Sequence, residues 1–160
     1  MKSKPPRKTN ALRLLDSRGI RYETASYDSG GVAVDAATVA QKIGMPPEQV
    51  FKTLIAVGPS TGPVAFVVPG DCELDLRKAA AASGNKKIEM LPLRELKGLT
   101  GYERGGCSPV GMARPLPTWI DESVELFETV AVSAGAIGLQ MILAPADLIE
   151  AAQASLADLS

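Results

Sequence analysis

The 160-residue chain contains no histidine, two cysteines and one tryptophan. Without histidine there is no Ser–His–Asp triad, no Cys–His pair and no imidazole metal ligand. Two cysteines cannot build a four-cysteine zinc site, and they are too few for a disulfide scaffold. Cys72 and Cys107 read as free thiols of a reducing compartment. No GxGxxG or GxxxxGK[ST] phosphate loop is present. No metal and no cofactor is expected.

A strong excess of one charge is also missing: 17 basic residues face 18 acidic ones. A highly charged nucleic-acid binder would be more basic, so no DNA partner is expected and any RNA contact is local. Residues 1–21 hold seven basic side chains and the single acid Asp16, whereas residues 115–160 hold seven acids and no Lys or Arg. Candidate RNA contacts are the N-terminal arm, Lys86-Lys87, Arg94, Lys97, Arg104 and Arg114. The competing reading is solvation of exposed faces. Two uncharged stretches, 53–70 and 129–146, approach membrane length. Gly58-Pro59-Ser60-Thr61-Gly62-Pro63 interrupts the first, and Ser133, Gly135, Gly138 and Gln140 interrupt the second. Each reads as two buried strands around a turn, not as a membrane span. The basic N-terminus has no apolar segment after it, so it is no secretory signal, and a cytoplasmic location is expected.

What the chain does have is an irregular alternation of helix and strand signals. Residues 1–8 are polar, hold two prolines and are expected to be disordered. Thr9 or Asn10 caps a first helix. Residues 20–27 alternate as a strand, and Asp35 to Ile43 is a helix stopped by Gly44. Pro46-Pro47 opens a further helical turn. Residues 51–57 and 64–68 are strands apolar on both faces, which places them centrally in a sheet. A helix over 74–83, a strand over 86–91 and a helix over 93–99 follow. The 100–111 segment is too rich in glycine for regular structure. Residues 117–120 are extended, 128–132 and 139–143 are strands, and a last helix from Pro145 buries Leu148, Ile149, Ala152 and Leu156. The fold class is α/β with a mixed, mostly antiparallel central sheet and flanking helices.

Three constellations carry chemistry. Lys52 lies inside the apolar run Val50-Phe51-Lys52-Thr53-Leu54. An ammonium there must reach an opening or a partner, because burying it unpaired is costly. It either snorkels to an edge or lines a cleft facing an anionic or ester-bearing substrate. Thr53 points to the opposite face of a regular strand, so only one of the two side chains enters a one-sided site; the Thr53 amide can still line it. In Gly105-Gly106-Cys107-Ser108-Pro109-Val110-Gly111, adjacent glycines let backbone N–H groups converge on one oxygen, or simply make a turn with positive φ. Cys107, with no histidine to activate it, reads as a small buried side chain rather than a nucleophile. Val132-Ser133-Ala134-Gly135 is a strand end opening a turn. Asp121-Glu122 reads as loop acids rather than an acid–base pair.

The order of Val-Phe-Lys-Thr-Leu (50–54), Glu-Leu-Asp-Leu (73–76), Lys-Lys-Ile-Glu-Met (86–90), Thr-Gly-Tyr (100–102), Gly-Gly-Cys-Ser-Pro-Val-Gly (105–111), Leu-Pro…Asp-Glu-Ser (116–123) and Val-Ser-Ala-Gly…Gly-Leu-Gln (132–140) resembles the YbaK family. These are free-standing relatives of the prolyl-tRNA synthetase editing domain. The resemblance runs from about residue 8 to residue 150. It implies one deacylase domain over 9–160 with a partly closed sheet. It also implies clearance of mischarged aminoacyl-tRNA, typically Cys-tRNA(Pro), by the substrate's own thiol or by water. Lys52 and Gly106 map to catalytic positions. Tyr27, Thr53, Gly105, Ser108, Ser133 and Gly135 map to substrate-binding positions. Lys52 is assigned to the terminal adenosine or the aminoacyl carbonyl rather than to proton transfer.

The chain departs from the family pattern at Met112-Ala113-Arg114-Pro115 and Ala136-Ile137, where relatives often carry basic residues. With fewer cations, the tRNA acceptor end is expected to bind weakly without a helper, prolyl-tRNA synthetase foremost. Two alternatives stand beside this reading. One is a non-catalytic module that binds tRNA or a synthetase. The other is a deacylase for a different mischarged amino acid.

Overall fold

Helix α1 (Asn10–Ser17) begins where a hydroxyl is available to hold it. The Thr9 side chain accepts from the Leu12 amide at 3.2 Å and donates to the Ala134 carbonyl, which ties the helix start to a distant strand. The computed structural model describes residues 8–160. The expected N-terminal arm therefore lies outside the described residues except for Lys8, which pairs with Asp16 at 2.7 Å.

The elements that follow are β1 (Glu23–Ser26), α2 (Ala36–Ile43), a 3-10 turn (Pro47–Gln49), β2 (Phe51–Gly58), β3 (Gly62–Pro69) and α3 (Leu76–Ser83). Then come β4 (Glu89–Met90), α4 (Leu93–Thr100), β5 (Thr118–Asp121), a 3-10 turn (Glu122–Leu126), β6 (Val130–Ala136), β7 (Leu139–Leu143), α5 (Pro145–Ala152) and β8 (Ser155–Ala157). Asp35 and Asp75 cap α2 and α3, and Gly44 and Gly84 end them in the left-handed region. Among the described residues, no helix is long and apolar enough to cross a membrane.

The strands form two sheets, ordered β4-β2-β3-β5-β8 and β1-β7-β6. The first is mixed: β2 pairs antiparallel with β3 and β4, while β3–β5 and β5–β8 are parallel. The second is wholly antiparallel. As the sequence predicts, β2 and β3 lie inside the larger sheet, and the mixed α/β class holds. The single, partly closed sheet does not form. The two sheets meet at one bridge, Val50 with Ala131, and are otherwise separate. The ladder ends there because the chain before Val50 is a 3-10 turn entered through Pro46 and Pro47, which have no N–H to donate.

The far end of the chain also departs from expectation. α5 stops at Ala152, Gln153 turns left-handed at φ 50°, and Leu156 sits on a strand instead of a helix. β8 runs parallel to β5, pairing Ile120 with Leu156, and so occupies the edge that β5 would leave open. One core lies between the smaller sheet and α1 and α5, where Leu12, Leu15, Met141 and Leu148 are fully buried. Each such side chain contributes roughly 1.5–3 kcal/mol. A second core packs α3 on Ala56, Val64, Phe66 and Val68 of the larger sheet.

Candidate active site

A cleft of about 780 Å³ opens where the two sheets part. Its walls are the start of α2 (residues 34–39), β2 (50–55), the turn after β3 (70–73), the segment from Met90 to Leu96 and the glycine loop. Ser133 of β6 and Gln140 of β7 complete it.

Lys52 and Thr53 both border this cleft. They do point to opposite faces. Lys52 pairs in register with Val68, which packs with α3, and Thr53 pairs with Val67, which packs in the other core. The cleft reaches both because β4 pairs with β2 only at Ala56 and Val57, with Leu91 N–H donating to the Ile55 carbonyl. Among the described residues no strand pairs with the outer edge of β2 from Phe51 to Leu54, and the cleft borders that stretch.

Charge gathers at the mouth. Lys52 is half-buried there, and Asp35, Asp71, Glu73 and Arg104 are exposed. Hydrogen bonds from the Thr38 side chain and amide hold the Asp35 carboxyl below its ordinary value, and the Lys52 charge adds to this. Asp35 caps α2 at 2.9 Å from the Thr38 amide.

The glycine loop faces the cleft through Arg104, Gly105 and Cys107. The Gly105 and Cys107 amides have no hydrogen-bond partner among the described residues, whereas the Gly106 amide donates to the Glu103 carbonyl at 2.9 Å. Gly106 contributes shape. A Cβ there would lie 2.9 Å from the Ile137 amide nitrogen and 3.1 Å from the Ala136 carbonyl carbon, so the loop rests directly on the β6–β7 turn. The loop is braced from behind. The Tyr102 hydroxyl donates to the Val110 carbonyl at 2.6 Å, and Ser108 Oγ accepts from the Val110 amide at 3.3 Å. Burial pushes the Cys107 thiol up to about 12, which leaves it neutral near pH 7. The Cys72 thiol is also raised, by burial and then by the Asp71 charge.

Of the residues singled out from sequence, the cleft brings together Lys52, Thr53, Gly105 and Ser133. Gly106 and Ser108 lie buried behind it in the loop. Gly135, at φ 96°, packs on the Tyr102 ring, where a Cβ would come within 2.8 Å. Tyr27 packs behind α2 with Val39, Ala40 and Ala131, and its amide donates to the Gly138 carbonyl at 2.9 Å. Sequence reasoning passed over Gln140 as a site residue. Its signal was the same as that of Lys52: one polar side chain inside an apolar strand, Leu139-Gln140-Met141-Ile142-Leu143. Among the described residues, no three His, Cys, Asp or Glu side chains gather as a metal-holding group.

A second hollow of about 440 Å³ lies between Leu14, Met112, Pro115 and Gln153. It shares no lining residue with the first.

Comparison with known proteins places this architecture. Residues 32–151 match the family model described as "Aminoacyl-tRNA editing domain". "Putative Cys-tRNA(Pro)/Cys-tRNA(Cys) deacylase EbsC" of Enterococcus faecalis is 42% identical over 159 residues, covering 99% of this chain and 97% of that protein. "Uncharacterized protein YwhH" of Bacillus subtilis is 28% identical over 128 residues, 80% of each chain. Among solved structures, "a putative trans-editing enzyme for prolyl tRNA synthetase" superposes with a TM-score of 0.85 at 29% identity over 99% of both chains. With a family model spanning most of its length and a relative 42% identical from end to end, the chain belongs to the aminoacyl-tRNA editing domain family.

Proposed function

We propose that this protein is an aminoacyl-tRNA deacylase acting in trans in the cytoplasm, with Cys-tRNA(Pro) as its substrate. The observation that carries the reading is that a cation, Lys52, and two residues with unpartnered amides, Gly105 and Cys107, line one cleft of about 780 Å³. The Enterococcus faecalis relative, named as a deacylase of this kind, supports the substrate class.

The chemistry asks little of the protein. The ester carbonyl oxygen sits against the Gly105 and Cys107 amides, each such donor contributing on the order of 3–4 kcal/mol as negative charge develops. The attacking group is water or the substrate's own thiol, because the Cys107 thiol is neutral and buried. Attack on the carbonyl carbon breaks its bond to the ribose oxygen, which takes the released proton. Lys52 and Arg104 at the mouth hold the terminal adenosine and its phosphate. The acceptor end binds weakly here without a synthetase partner, because Ala136 and Ile137 beside the glycine loop carry no charge.

That same uncharged surface favours the second reading, a non-catalytic module that binds tRNA or a synthetase. A panel of mischarged tRNAs separates the two. Under the enzyme reading, purified protein cleaves Cys-tRNA(Pro) well above the buffer rate and Lys52→Ala loses roughly 10²-fold in kcat/KM. No cleavage of any ester refutes the enzyme; full activity of Lys52→Ala refutes the role of Lys52.

A further inference from the structure

Gln140 lines the cleft and takes no part in the reaction above. It is 4% exposed, and its Oε1 is buried with no hydrogen-bond partner among the described residues. An unpaired buried amide oxygen costs about 1–3 kcal/mol. Such a group in a native fold calls for a ligand, a water or a functional role. The Thr53 hydroxyl, on the other wall, is likewise buried and unpartnered. Ser133 is the direct cross-strand neighbour of Gln140. Its Oγ accepts from the Gly135 amide at 3.1 Å, which leaves its own O–H free to donate.

Gln140 and Ser133 are more buried than the charged groups, and Thr53 is half-buried with its hydroxyl shielded from solvent. Lys52, Arg104, Asp35, Asp71 and Glu73 stand at the mouth, while Gln140 and Ser133 are buried. The deep part is therefore neutral and presents both donors and acceptors. An ammonium offers donors only and would be costly there without a carboxylate. A hydroxyl or thiol offers one donor and acceptor lone pairs, and it is uncharged.

We propose that Gln140, with Thr53 and Ser133, forms a neutral polar floor that selects an amino acid whose side chain ends in a hydroxyl or thiol over one ending in a methyl. The proposal rests on the reading that the cleft takes the aminoacyl end of tRNA. It makes Gln140 a specificity residue that touches the substrate side chain and takes no part in bond breaking. Sites built to hydrogen-bond a substrate group discriminate strongly against analogues lacking it, because their own polar atoms are then left unpaired.

The test uses two non-hydrolysable 3′-aminoacylamido-adenosines, seryl and alanyl, which differ by one oxygen. Calorimetry on the full chain is expected to show the seryl compound binding about tenfold more tightly, and Gln140→Met is expected to bring the two affinities together. The Gln140 side-chain amide resonance of the wild-type protein is expected to shift with the seryl compound and to stay with the alanyl one, a readout that needs no variant. Equal wild-type affinities would assign the Gln140 oxygen to a bound water and overturn the proposal. So would an unchanged ratio in a folded Gln140→Met protein. Turnover of aminoacyl-tRNA is measured separately, so failure of the deacylase reading is distinguishable from failure of this one.

Discussion

Gly106→Ala probes how the glycine loop is held. The added Cβ meets backbone atoms only: Ile137 N at 2.9 Å, Ala136 C at 3.1 Å and Ala136 Cα at 3.3 Å. None is the end of a flexible side chain, so the loop itself must move away from the β6–β7 turn. Overpacking of this kind costs about 2 kcal/mol. The displaced residues are the neighbours Gly105 and Cys107, which line the cleft and whose amides have no hydrogen-bond partner among the described residues. Losing the alignment of one such donor costs roughly 10²-fold in rate. Urea denaturation is expected to show a lower midpoint with the slope unchanged. Deacylation under single turnover, at a temperature where the variant is fully folded, is expected to fall by that factor. A folded Gly106→Ala protein with wild-type single-turnover kinetics would refute the claim that this loop carries the reaction.

Two predictions concern stability. Burial moves the Cys107 thiol from an ordinary value of about 9 to about 12. In that interval the unfolded chain loses a proton that the native state keeps, so stability is unaffected below pH 9 and falls as pH rises toward 12. Between pH 8 and pH 10.5, wild type is expected to lose about 2 kcal/mol more than Cys107→Ala, read from urea midpoints; parallel losses would contradict the burial. Asp121, 3% exposed, accepts from the Leu159 amide at 2.8 Å and the Ser123 amide at 3.2 Å, clamping the chain beyond β8. Asp121→Ala leaves those donors unpaired and is expected to cost about 2–4 kcal/mol by the same measurement.

Local signals were legible in the sequence where local chemistry decides the outcome. Asp35 and Gly44 bound α2 because a carboxylate cap and a left-handed glycine each act within one turn of their own helix end. Lys52 stood out because an ammonium in an apolar strand needs an exit. What stayed hidden depends on pairing across the fold. β8 forms because β5 offers an edge, and the periodicity of 145–156 continues helically past the residue, Gln153, at which the chain turns. The separation into two sheets follows from one 3-10 turn before Val50. In the site, residue types revealed the glycine loop but not which amides are free. That the Gly106 amide is taken by the Glu103 carbonyl, leaving those of Gly105 and Cys107, is a matter of loop conformation. Gln140 was one polar residue in a strand whose exposed face could not be known before its neighbours Ser133 and Ala25 were placed beside it.

The central claim is that Lys52 and the amides of Gly105 and Cys107 hold one aminoacyl end between them. The most direct measurement is an amide proton–nitrogen titration of the ¹⁵N-labelled protein with a non-hydrolysable aminoacylamido-adenosine. The account predicts the largest shifts at Gly105 and Cys107, with affinity weakened at least tenfold by Lys52→Ala. Shifts gathered instead around Met112 and Gln153, at the second hollow, with Gly105 and Cys107 unmoved, would contradict it.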